Sequence, residues 1–229
     1  MNIPKHIVLF PDGNRRWAKA QGLASLEGHQ QGKEKLILLC NWCAKRGVKV
    51  LTAFGFSTEN WNRSQEEVNY LMNLLEKTLL MFKSDPELID KQVCVKVIGQ
   101  KDRLPESLQN VIKEIEAFTA DNKNFQLNLA VSYGGKWDIL QAVKKMVEDK
   151  VAPEKIDEAL FESYLSTTGL PSPDLIIRAG GQMRLSNFVL WQAAYSELYF
   201  SPKLWPDFTE QDLDDALVEF DARTRRFGK

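Results

Sequence analysis

His6-Ile7-Val8-Leu9-Phe10 is a short apolar run, and Pro11-Asp12-Gly13-Asn14-Arg15-Arg16-Trp17 follows it directly. The apolar run predicts a buried strand, and helix-forming residues follow the polar stretch. One carboxylate, one glycine and two arginines are therefore expected where a strand ends and a helix begins. In an open α/β sheet this is where ligands bind. Free backbone N–H groups and the positive end of a helix favour phosphate there.

The carboxylate of Asp12 needs its own explanation, because it repels phosphate. A hard cation such as Mg²⁺ is held by carboxylates and bridges to phosphate oxygens. The opening segment therefore favours magnesium-assisted chemistry on a phosphorylated substrate. On these residues alone, the alternative is an ordinary turn with solvated charges.

Length and charge limit the class of protein. The 229 residues fit one domain, 1–229, and 30 basic against 31 acidic residues give no overall attraction for nucleic acid. The three cysteines are typical of a reduced, cytoplasmic setting. Cys40 and Cys43 have CxxC spacing but lie in an apolar helical pattern without a second Cys/His pair, which disfavours zinc or redox chemistry. Neither a signal peptide nor a membrane span is expected.

Short apolar runs alternate with longer amphipathic ones, which predicts strands alternating with helices. The predicted strands are Ile7–Phe10, Val50–Phe56, Val93–Ile98, Gln126–Val131, Leu175–Arg178 and Glu197–Phe200. The predicted helices lie near 30–46, 65–83, 105–121, 136–149, 154–164 and 210–222. The pattern indicates an α/β fold with a mainly parallel six-stranded central sheet flanked by helices.

Polar segments follow four of these strands, at 12–16, 57–63, 132–136 and 179–187. Right-handed crossovers align the carboxyl ends of parallel strands on one edge, so these segments are expected to form one shared site. In the last segment Arg178 and Arg184 bracket a diglycine, and Ser186 adds a hydroxyl. The planar, forked guanidinium group of arginine is suited to binding phosphate through paired hydrogen bonds. A structural loop with surface arginines is the alternative.

The segment Ser57-Thr-Glu-Asn60-Trp61-Asn-Arg63 has two compatible interpretations. Ser64 and Glu67 have the spacing of a helix capping box. Ser57 and Asn60 are separate from that cap and are candidates for catalysis.

Several residues keep two interpretations at this point. His29 begins a predicted helix, and a lone histidine is usually structural. Glu197 either joins Asp12 at a metal or is simply an acid at a strand edge. Arg225 belongs to a basic cluster near the C-terminus that is typical of a solvated tail. The apolar stripe of the helix at 65–83 either packs on the sheet or partly lines a cavity for a lipid chain.

Absent motifs narrow the reaction. The sequence has no GxxxxGK[ST] phosphate loop and no GxGxxG after a strand, which disfavours a P-loop NTPase and a dinucleotide-binding fold. A phosphatase of the haloacid dehalogenase type would have a second aspartate where Asn14 stands.

Eight sequence blocks, in order over essentially the whole chain, resemble the cis-prenyltransferase family. The blocks are Asp12-Gly-Asn-Arg-Arg-Trp-Ala, Gly28-His29, Phe56-Ser-Thr-Glu-Asn-Trp-Asn-Arg63, Tyr133-Gly-Gly-Lys-Trp-Asp138, Asp174-Leu-Ile-Ile-Arg-Ala-Gly-Gly181, Arg184-Leu-Ser-Asn-Phe188, Trp191-Gln-Ala-Ala-Tyr-Ser-Glu197 and Leu204-Trp-Pro-Asp-Phe208. The resemblance implies a homodimer, a hydrophobic product tunnel and Mg²⁺. It also implies successive additions of isopentenyl diphosphate to an allylic diphosphate, usually farnesyl diphosphate, each creating a cis double bond.

The resemblance assigns roles to the matching residues. Asp12 would be the essential carboxylate handling Mg²⁺ and diphosphate, with Glu197 assisting the metal. Ser57 and Asn60 would lie near the proton removed from isopentenyl diphosphate. The residues expected to hold the allylic diphosphate are Gly13, Asn14, Arg16 and His29. Those expected to hold isopentenyl diphosphate are Arg178, Arg184 and Ser186. Arg225 of the partner subunit would also reach this diphosphate. Trp61 and Arg63 would close over the substrates, and Arg15 and Trp17 complete the expected binding set.

Two positions depart from the family pattern, and both affect which substrate is preferred. Ser25 stands where an arginine is usual, four residues before His29, and Arg15 is the hypothesised substitute. Gln182 stands where an acid often follows the diglycine.

Gly55 is expected beneath the tunnel, and its small size favours a product of medium or long chain length. Undecaprenyl diphosphate, the lipid carrier for cell-wall synthesis, is such a product. The alternatives are a short-chain or irregular cis-prenyl diphosphate synthase and a non-catalytic prenyltransferase partner. Peripheral membrane contact is expected only for product release.

Overall fold

The computed structural model describes residues 1–223, and its centre is a six-stranded sheet in which every neighbouring pair of strands is parallel. Along the sheet the order is β3-β4-β2-β1-β5-β6. The strands are β1 (His6–Phe10), β2 (Val50–Ser57), β3 (Val93–Ile98), β4 (Phe125–Tyr133), β5 (Leu175–Arg178) and β6 (Glu197–Phe200). The predicted α/β class and all six predicted strands are confirmed.

Eight α-helices are described between or after these strands. They are α1 (Asn14–Ala20), α2 (Ser25–Lys45), α3 (Gln65–Ser84), α4 (Pro86–Asp90), α5 (Glu106–Phe118), α6 (Gly135–Glu148), α7 (Glu158–Tyr164) and α8 (Glu210–Ala222). Side-chain caps fix several of the helix starts. Ser64 accepts from the backbone N–H of Glu67 at α3, and Asp157 accepts from Leu160 at α7. The cap at Asp157 divides the helix predicted over 154–164.

Helix α2 begins five residues earlier than predicted, so His29 lies in its second turn and does not begin it. Gly28 and Gly32 weaken the helical pattern in sequence, since glycine disfavours helix interiors. Tertiary packing explains why glycine stands at these two positions. A Cβ on Gly28 would lie 2.1 Å from the backbone oxygen of Asn14, and one on Gly32 would lie 2.5 Å from the Asn14 side-chain oxygen. Helix α1 therefore packs on α2 at a distance that only glycine allows.

Hydrophobic layers cover both faces of the sheet. The larger core cluster joins one face to residues of α2, α3, α5 and α8. On the other face Phe10, Tyr133 and Phe188 form an aromatic cluster with Phe54, whose ring stacks on Phe188 at 4.0 Å between centroids. Cys40 and Cys43 are buried in the larger core, and burial raises the pKa of the Cys40 thiol to about 12. Within residues 1–223 no helix is long and apolar enough to cross a membrane.

The strand register places the predicted polar segments together. Phe10 pairs with Arg178 at the ends of β1 and β5, and Ser57 pairs with Tyr133 at the ends of β2 and β4. Because the strands are parallel, all four chain segments leave the sheet at one edge. The expected shared edge is therefore present.

Candidate active site

A cavity of about 590 Å³ opens at this edge, between the sheet and helices α2 and α3. Its polar end includes eight of the residues predicted for the site, which are Asp12, Asn14, His29, Ser57, Asn60, Arg63, Arg178 and Ser186. Its other end is mainly apolar, and the lining there includes Leu36, Ala53, Gly55, Leu71, Leu74, Leu75, Thr78 and Leu129. One cavity thus joins a set of charged and polar groups to a hydrocarbon lining.

Asp12 lies between two guanidinium groups. Arg178 donates from Nη2 to Asp12 Oδ2 at 2.9 Å, and Arg16 donates from Nη2 to Asp12 Oδ1 at 3.2 Å. Arg16 also donates from Nη1 to the backbone oxygen of Gly180 at 2.9 Å. Gly180 has φ of 90°, and a Cβ there would lie 2.6 Å from the Arg16 guanidinium. Glycine at this position therefore lets Arg16 reach the loop after β5.

Arg178 is a buried cation at the end of β5, with its residue 5% exposed. Its Nη1 donates to the hydroxyl of Ser186 at 2.8 Å and to the backbone oxygen of Arg184. Its guanidinium lies over the ring of Phe10, 5.0 Å from the centroid. The Nε–H is buried and, among the described residues, has no acceptor. A buried cation with a free donor, beside one carboxylate, is suited to binding an anion.

A second cluster of basic groups surrounds the carboxylate of Glu67. Arg63 donates from Nη1 to Glu67 Oε1 at 2.8 Å, and His29 Nε2 lies 3.2 Å from the same oxygen. Arg15 approaches the other oxygen, with Nη1 at 3.7 Å from Oε2. Three basic side chains from three chain segments thus face one carboxylate beside the cavity.

Burial and charge set the protonation states in this cluster. Burial, together with the nearby charges of Arg63 and Arg15, lowers the pKa of His29 despite its contact with Glu67. Burial acts to raise the pKa of Glu67, but the hydrogen bond with His29 and the charges of Arg63 and Arg15 lower it overall. At neutral pH the cluster therefore holds an ionised Glu67, a neutral His29 and two arginine cations.

Ser57 and Asn60 form a capping box on the short 3₁₀ helix Thr58–Asn62. Asn60 accepts through Oδ1 from the backbone N–H of Ser57 at 3.0 Å. Glu59 also lines the cavity and accepts from the side-chain amide of Asn187 at 2.8 Å. Burial acts to raise the pKa of Glu59, but hydrogen bonds from Asn187 and neighbouring groups lower it overall. The two candidate catalytic side chains are thus held in one fixed arrangement.

Asn14 has an unpaired acceptor at the polar end. Its side-chain oxygen is buried and, within residues 1–223, has no hydrogen-bond donor. The amide lies against Gly32 of α2 and lines the cavity. A polar atom left in this state calls for a partner that the protein alone does not supply.

Other predicted residues lie near the site without lining the cavity. The indole of Trp17 donates to Asp207 at 2.7 Å, and that of Trp61 donates to Ser132 at 2.9 Å. Gly13 has φ of 111° and packs against Leu204, where a Cβ would lie 2.8 Å from Cδ2. The contact described for Arg184 is through its backbone oxygen, and its side chain is exposed. These residues lie outside the cavity lining, and their role in binding stays a prediction.

Glu197 and Asp12 do not come together within one chain. Glu197 begins β6 in register with Leu175 and hence with Ile7, about 10 Å along the strand direction from the edge where β1 ends. Its carboxylate accepts from Arg223 at 2.9 Å. Arg225 lies outside the described residues. The sharing of a metal by Asp12 and Glu197 therefore stays a prediction.

Glu67, Glu59, Asn187 and Lys33 contact the site or line the cavity but were absent from the predicted set. Glu67 was missed because its position in the sequence was already explained by a helix capping box. Its carboxylate instead binds residues from segments up to 52 positions away, which sequence spacing does not reveal. Lys33 could have been predicted from its spacing, because it follows His29 by one helical turn.

The carboxylates at the cavity restrict how a metal could bind. Over the described part of the chain, no group of three or more His, Cys, Asp or Glu side chains could hold a metal ion. Mg²⁺ commonly takes one or two carboxylates and completes its shell with substrate phosphates and water. Asp12, which faces the cavity beside an anion-binding cluster, fits that kind of site.

Comparison with known proteins gives the chain its family. The family model Prenyltransf, described as "Putative undecaprenyl diphosphate synthase", matches residues 10–228. A (2Z,6Z)-farnesyl diphosphate synthase of Solanum lycopersicum is 49% identical over 99% of this chain and 79% of its own length. An isoprenyl transferase of Thermotoga maritima is 46% identical over 100% of this chain and 98% of its own.

Solved structures agree with this assignment. Lavandulyl diphosphate synthase from Lavandula x intermedia, in complex with dimethylallyl diphosphate, has a TM-score of 0.92 and 42% identity and covers 99% of both chains. A probable undecaprenyl diphosphate synthase from Campylobacter jejuni has a TM-score of 0.83 and 33% identity over 100% of both chains. The chain therefore belongs to the undecaprenyl diphosphate synthase family of cis-prenyltransferases.

Proposed function

We propose that this prenyltransferase condenses isopentenyl diphosphate with an allylic diphosphate and creates a cis double bond in each cycle. The observation that carries the proposal is the cavity itself. It joins two separate clusters of basic groups, around Asp12 and around Glu67, to one apolar lining. Two diphosphates and one hydrocarbon chain need this combination.

The two clusters share the two substrates, and Arg16 of the Asp12 cluster is assigned to the allylic diphosphate. Arg178 and Ser186 bind the diphosphate of isopentenyl diphosphate, and Arg184 joins them from its exposed position. Asn14, Arg16 and His29 bind the allylic diphosphate, supported by Arg15 and Arg63. The unpaired Asn14 oxygen accepts a hydrogen bond from a protonated phosphate oxygen or from water bound to the diphosphate. Separate binding sites for the two diphosphates align the reacting carbons, which lowers the entropic part of the activation barrier.

Asp12 is the residue that would hold Mg²⁺, together with diphosphate oxygens. When bound, the metal supplies positive charge against the negative charge that grows on the leaving diphosphate. The guanidinium groups of Arg16 and Arg178 act in the same direction, and their hydrogen bonds fix them before substrate arrives. Such preorganised donors stabilise a developing charge without reorganising during the reaction.

In this proposal Ser57 and Asn60 stand beside the proton that leaves isopentenyl diphosphate. Their capping box holds both side chains at the cavity wall, close to Glu59. We assign the orientation of the substrate methylene group to Ser57 and Asn60. The apolar residues of α2, α3 and β2 exclude water from the hydrocarbon chain.

Product length has two candidates, each with an observation in its favour. Gly55 lines the cavity without a side chain, which favours a medium or long polyprenyl product. A cavity of about 590 Å³ lies in the range of roughly 300–1,000 Å³ that is typical for drug-sized ligands, and this favours a short one. The relatives named for short products, from tomato and lavender, agree with the second candidate.

The proposal includes a homodimer in the cytoplasm, with membrane contact only for product release. Within one chain Glu197 lies away from Asp12, so a metal shared by these two residues would need Glu197 from a second chain. The bacterial relatives support the location, whereas the tomato relative is named as chloroplastic.

Incorporation of radiolabelled isopentenyl diphosphate tests the function. Dimethylallyl, geranyl and farnesyl diphosphate serve as primers in parallel, with Mg²⁺ present, and Asp12→Ala is the matched inactive variant. We expect labelled prenyl diphosphates that disappear in Asp12→Ala. The proposal is wrong if no primer gives incorporation above that of the variant.

A further inference from the structure

Lys33 is a charged residue on the wall of the cavity, at the boundary of its apolar part. It follows His29 by four residues on α2, which places it about 6 Å further along the helix axis. Leu36 is the next lining residue of α2, one turn beyond Lys33. A hydrocarbon chain with its diphosphate beside His29 therefore passes Lys33 before it reaches Leu36.

The surroundings of Lys33 offer little to an ammonium group. The facing wall consists of Leu71, Leu74 and Leu75 of α3, and the floor includes Ala53 and Gly55 of β2. Lys33 itself is half-buried, so its ammonium keeps access to water at the cavity wall. A lysine ammonium keeps a strong hydration shell. Replacing that water with hydrocarbon is unfavourable.

The cavity ends shortly beyond this point. Leu36 on α2 and Thr78 on α3 are the lining residues furthest along their helices. The next turns bring Leu39, Cys40 and Leu79 into the closed core, each with at most 3% of its surface exposed. The apolar stretch beyond Lys33 is therefore closed at its far end, next to Leu36 and Thr78.

We propose that Lys33 is a specificity-determining residue that limits the length of the hydrocarbon chain. By keeping water at the entrance to the deepest part of the cavity, it opposes the passage of a chain that grows past Lys33 towards Leu36. This inference rests on the proposed prenyl transfer and concerns where elongation stops. The carbon–carbon bond formation and the loss of diphosphate and proton are the same in every cycle, and Lys33 takes no part in them.

Lys33→Met is the appropriate variant, because methionine keeps an unbranched side chain and removes the charge. Lys33→Arg keeps the charge, and Lys45→Met makes the same chemical change at an exposed position in the last turn of α2. The products from dimethylallyl, geranyl and farnesyl diphosphate are separated by chromatography for all four proteins. The KM values for isopentenyl diphosphate and for each primer are measured as well.

We expect the unaltered protein to stop at a short product and Lys33→Met to add at least one further five-carbon unit. For farnesyl diphosphate, kcat/KM relative to dimethylallyl diphosphate should rise about tenfold in Lys33→Met, since a small change in an apolar pocket is worth about that much discrimination between substrates. Lys33→Arg and Lys45→Met should keep the original product.

Three results would overturn the inference. They are a long product from the unaltered protein, an unchanged product from Lys33→Met, and a raised primer KM in Lys33→Met without a change in length. The last would make Lys33 a phosphate-binding residue. A protein that incorporates no isopentenyl diphosphate at all would contradict the proposed function instead, so the two failures are distinguishable.

Discussion

The carboxylate of Asp12 lies 2.9 Å from the guanidinium of Arg178, and this contact joins the ends of the neighbouring strands β1 and β5. Arg178 is almost wholly buried, whereas the Asp12 side chain is 32% exposed and faces the cavity. A buried cation thus holds a carboxylate at the point where a metal and a diphosphate would meet. The pair ties the proposed chemistry directly to the order of strands in the sheet.

Arg178→Lys should weaken binding of isopentenyl diphosphate. Lysine keeps the charge but loses the fork that contacts Asp12, Ser186 and the Arg184 carbonyl together. We expect the KM for isopentenyl diphosphate to rise about tenfold or more, measured by steady-state kinetics. Arg46→Lys is the control, because Arg46 pairs with Asp214 and Glu210 away from the cavity. Equal KM values in Arg178→Lys and the unaltered protein would contradict the assignment.

Arg15 and Ser25 should act on the allylic substrate together. Ser25 begins α2 one turn before His29, and Arg15 approaches Glu67, which also contacts His29. Arg15→Ala should raise the KM for the allylic diphosphate, and Ser25→Arg should lower it, each about threefold to tenfold.

The double variant tests whether the two positions are equivalent. If Arg15 supplies the charge that an arginine at position 25 would supply, the Ser25→Arg change should restore the KM of Arg15→Ala. An unchanged KM in the single variant Ser25→Arg would rule out this compensation.

Gly55→Leu should shorten the product. A Cβ on Gly55 would meet Leu75 at 3.7 Å and the Ala130 carbonyl at 3.4 Å, so a side chain fits without moving the backbone. The remaining atoms of leucine would then occupy the cavity. Chromatography of the products should show a shift to shorter chains, while Gly55→Ala changes them little. The same product distribution in both variants would refute this path of the hydrocarbon chain.

Stability should fall as the pH drops from 7.5 to 5.5. Burial lowers the pKa of His6 and of His29 in the folded protein, whereas in the unfolded chain both titrate near the ordinary value of about 6.5. Below that pH the unfolded chain takes up protons first, so protonation favours unfolding. Urea midpoints at the two pH values measure the effect.

His6→Gln separates the contribution of His6 to this dependence from that of His29 at the active site. His6 donates from Nδ1 to the Pro171 carbonyl at 2.7 Å, and its Nε2 lies 2.8 Å from the Thr52 hydroxyl, which can donate to it when the ring is neutral. The variant should be about 1–3 kcal/mol less stable at pH 7.5, because buried partners lose their hydrogen bonds. It should also lose less stability between the two pH values. An unchanged pH dependence would show that His6 is not responsible.

The sequence predicted the strands and the shared edge because both depend on local patterns. Apolar runs of four to seven residues predicted the strands, and parallel topology predicted that the polar segments after four of them share one edge. The position of Glu197 could not be predicted in this way. Its placement depends on the direction and order of β6, which put the start of that strand at the opposite edge from Asp12.

Glu67 and Trp61 show a second limit. Glu67 matched a local capping pattern, and its contacts with Arg15 and His29 depend on how three helices meet. Trp61 is expected to close over the substrates, which stays a prediction, and its indole is held by Ser132 and packs edge-on against Phe56. Side-chain direction at such positions is decided by tertiary packing, which a local motif does not contain.

The geometry of the newly formed double bond tests the central claim most directly. The protein is supplied with ¹³C-labelled isopentenyl diphosphate, Mg²⁺ and an allylic diphosphate, and the purified product is examined by NMR, with Asp12→Ala as the control. The account predicts a cis double bond at every added unit and no product from Asp12→Ala. Trans double bonds, or a product that forms equally well without Asp12, would contradict it.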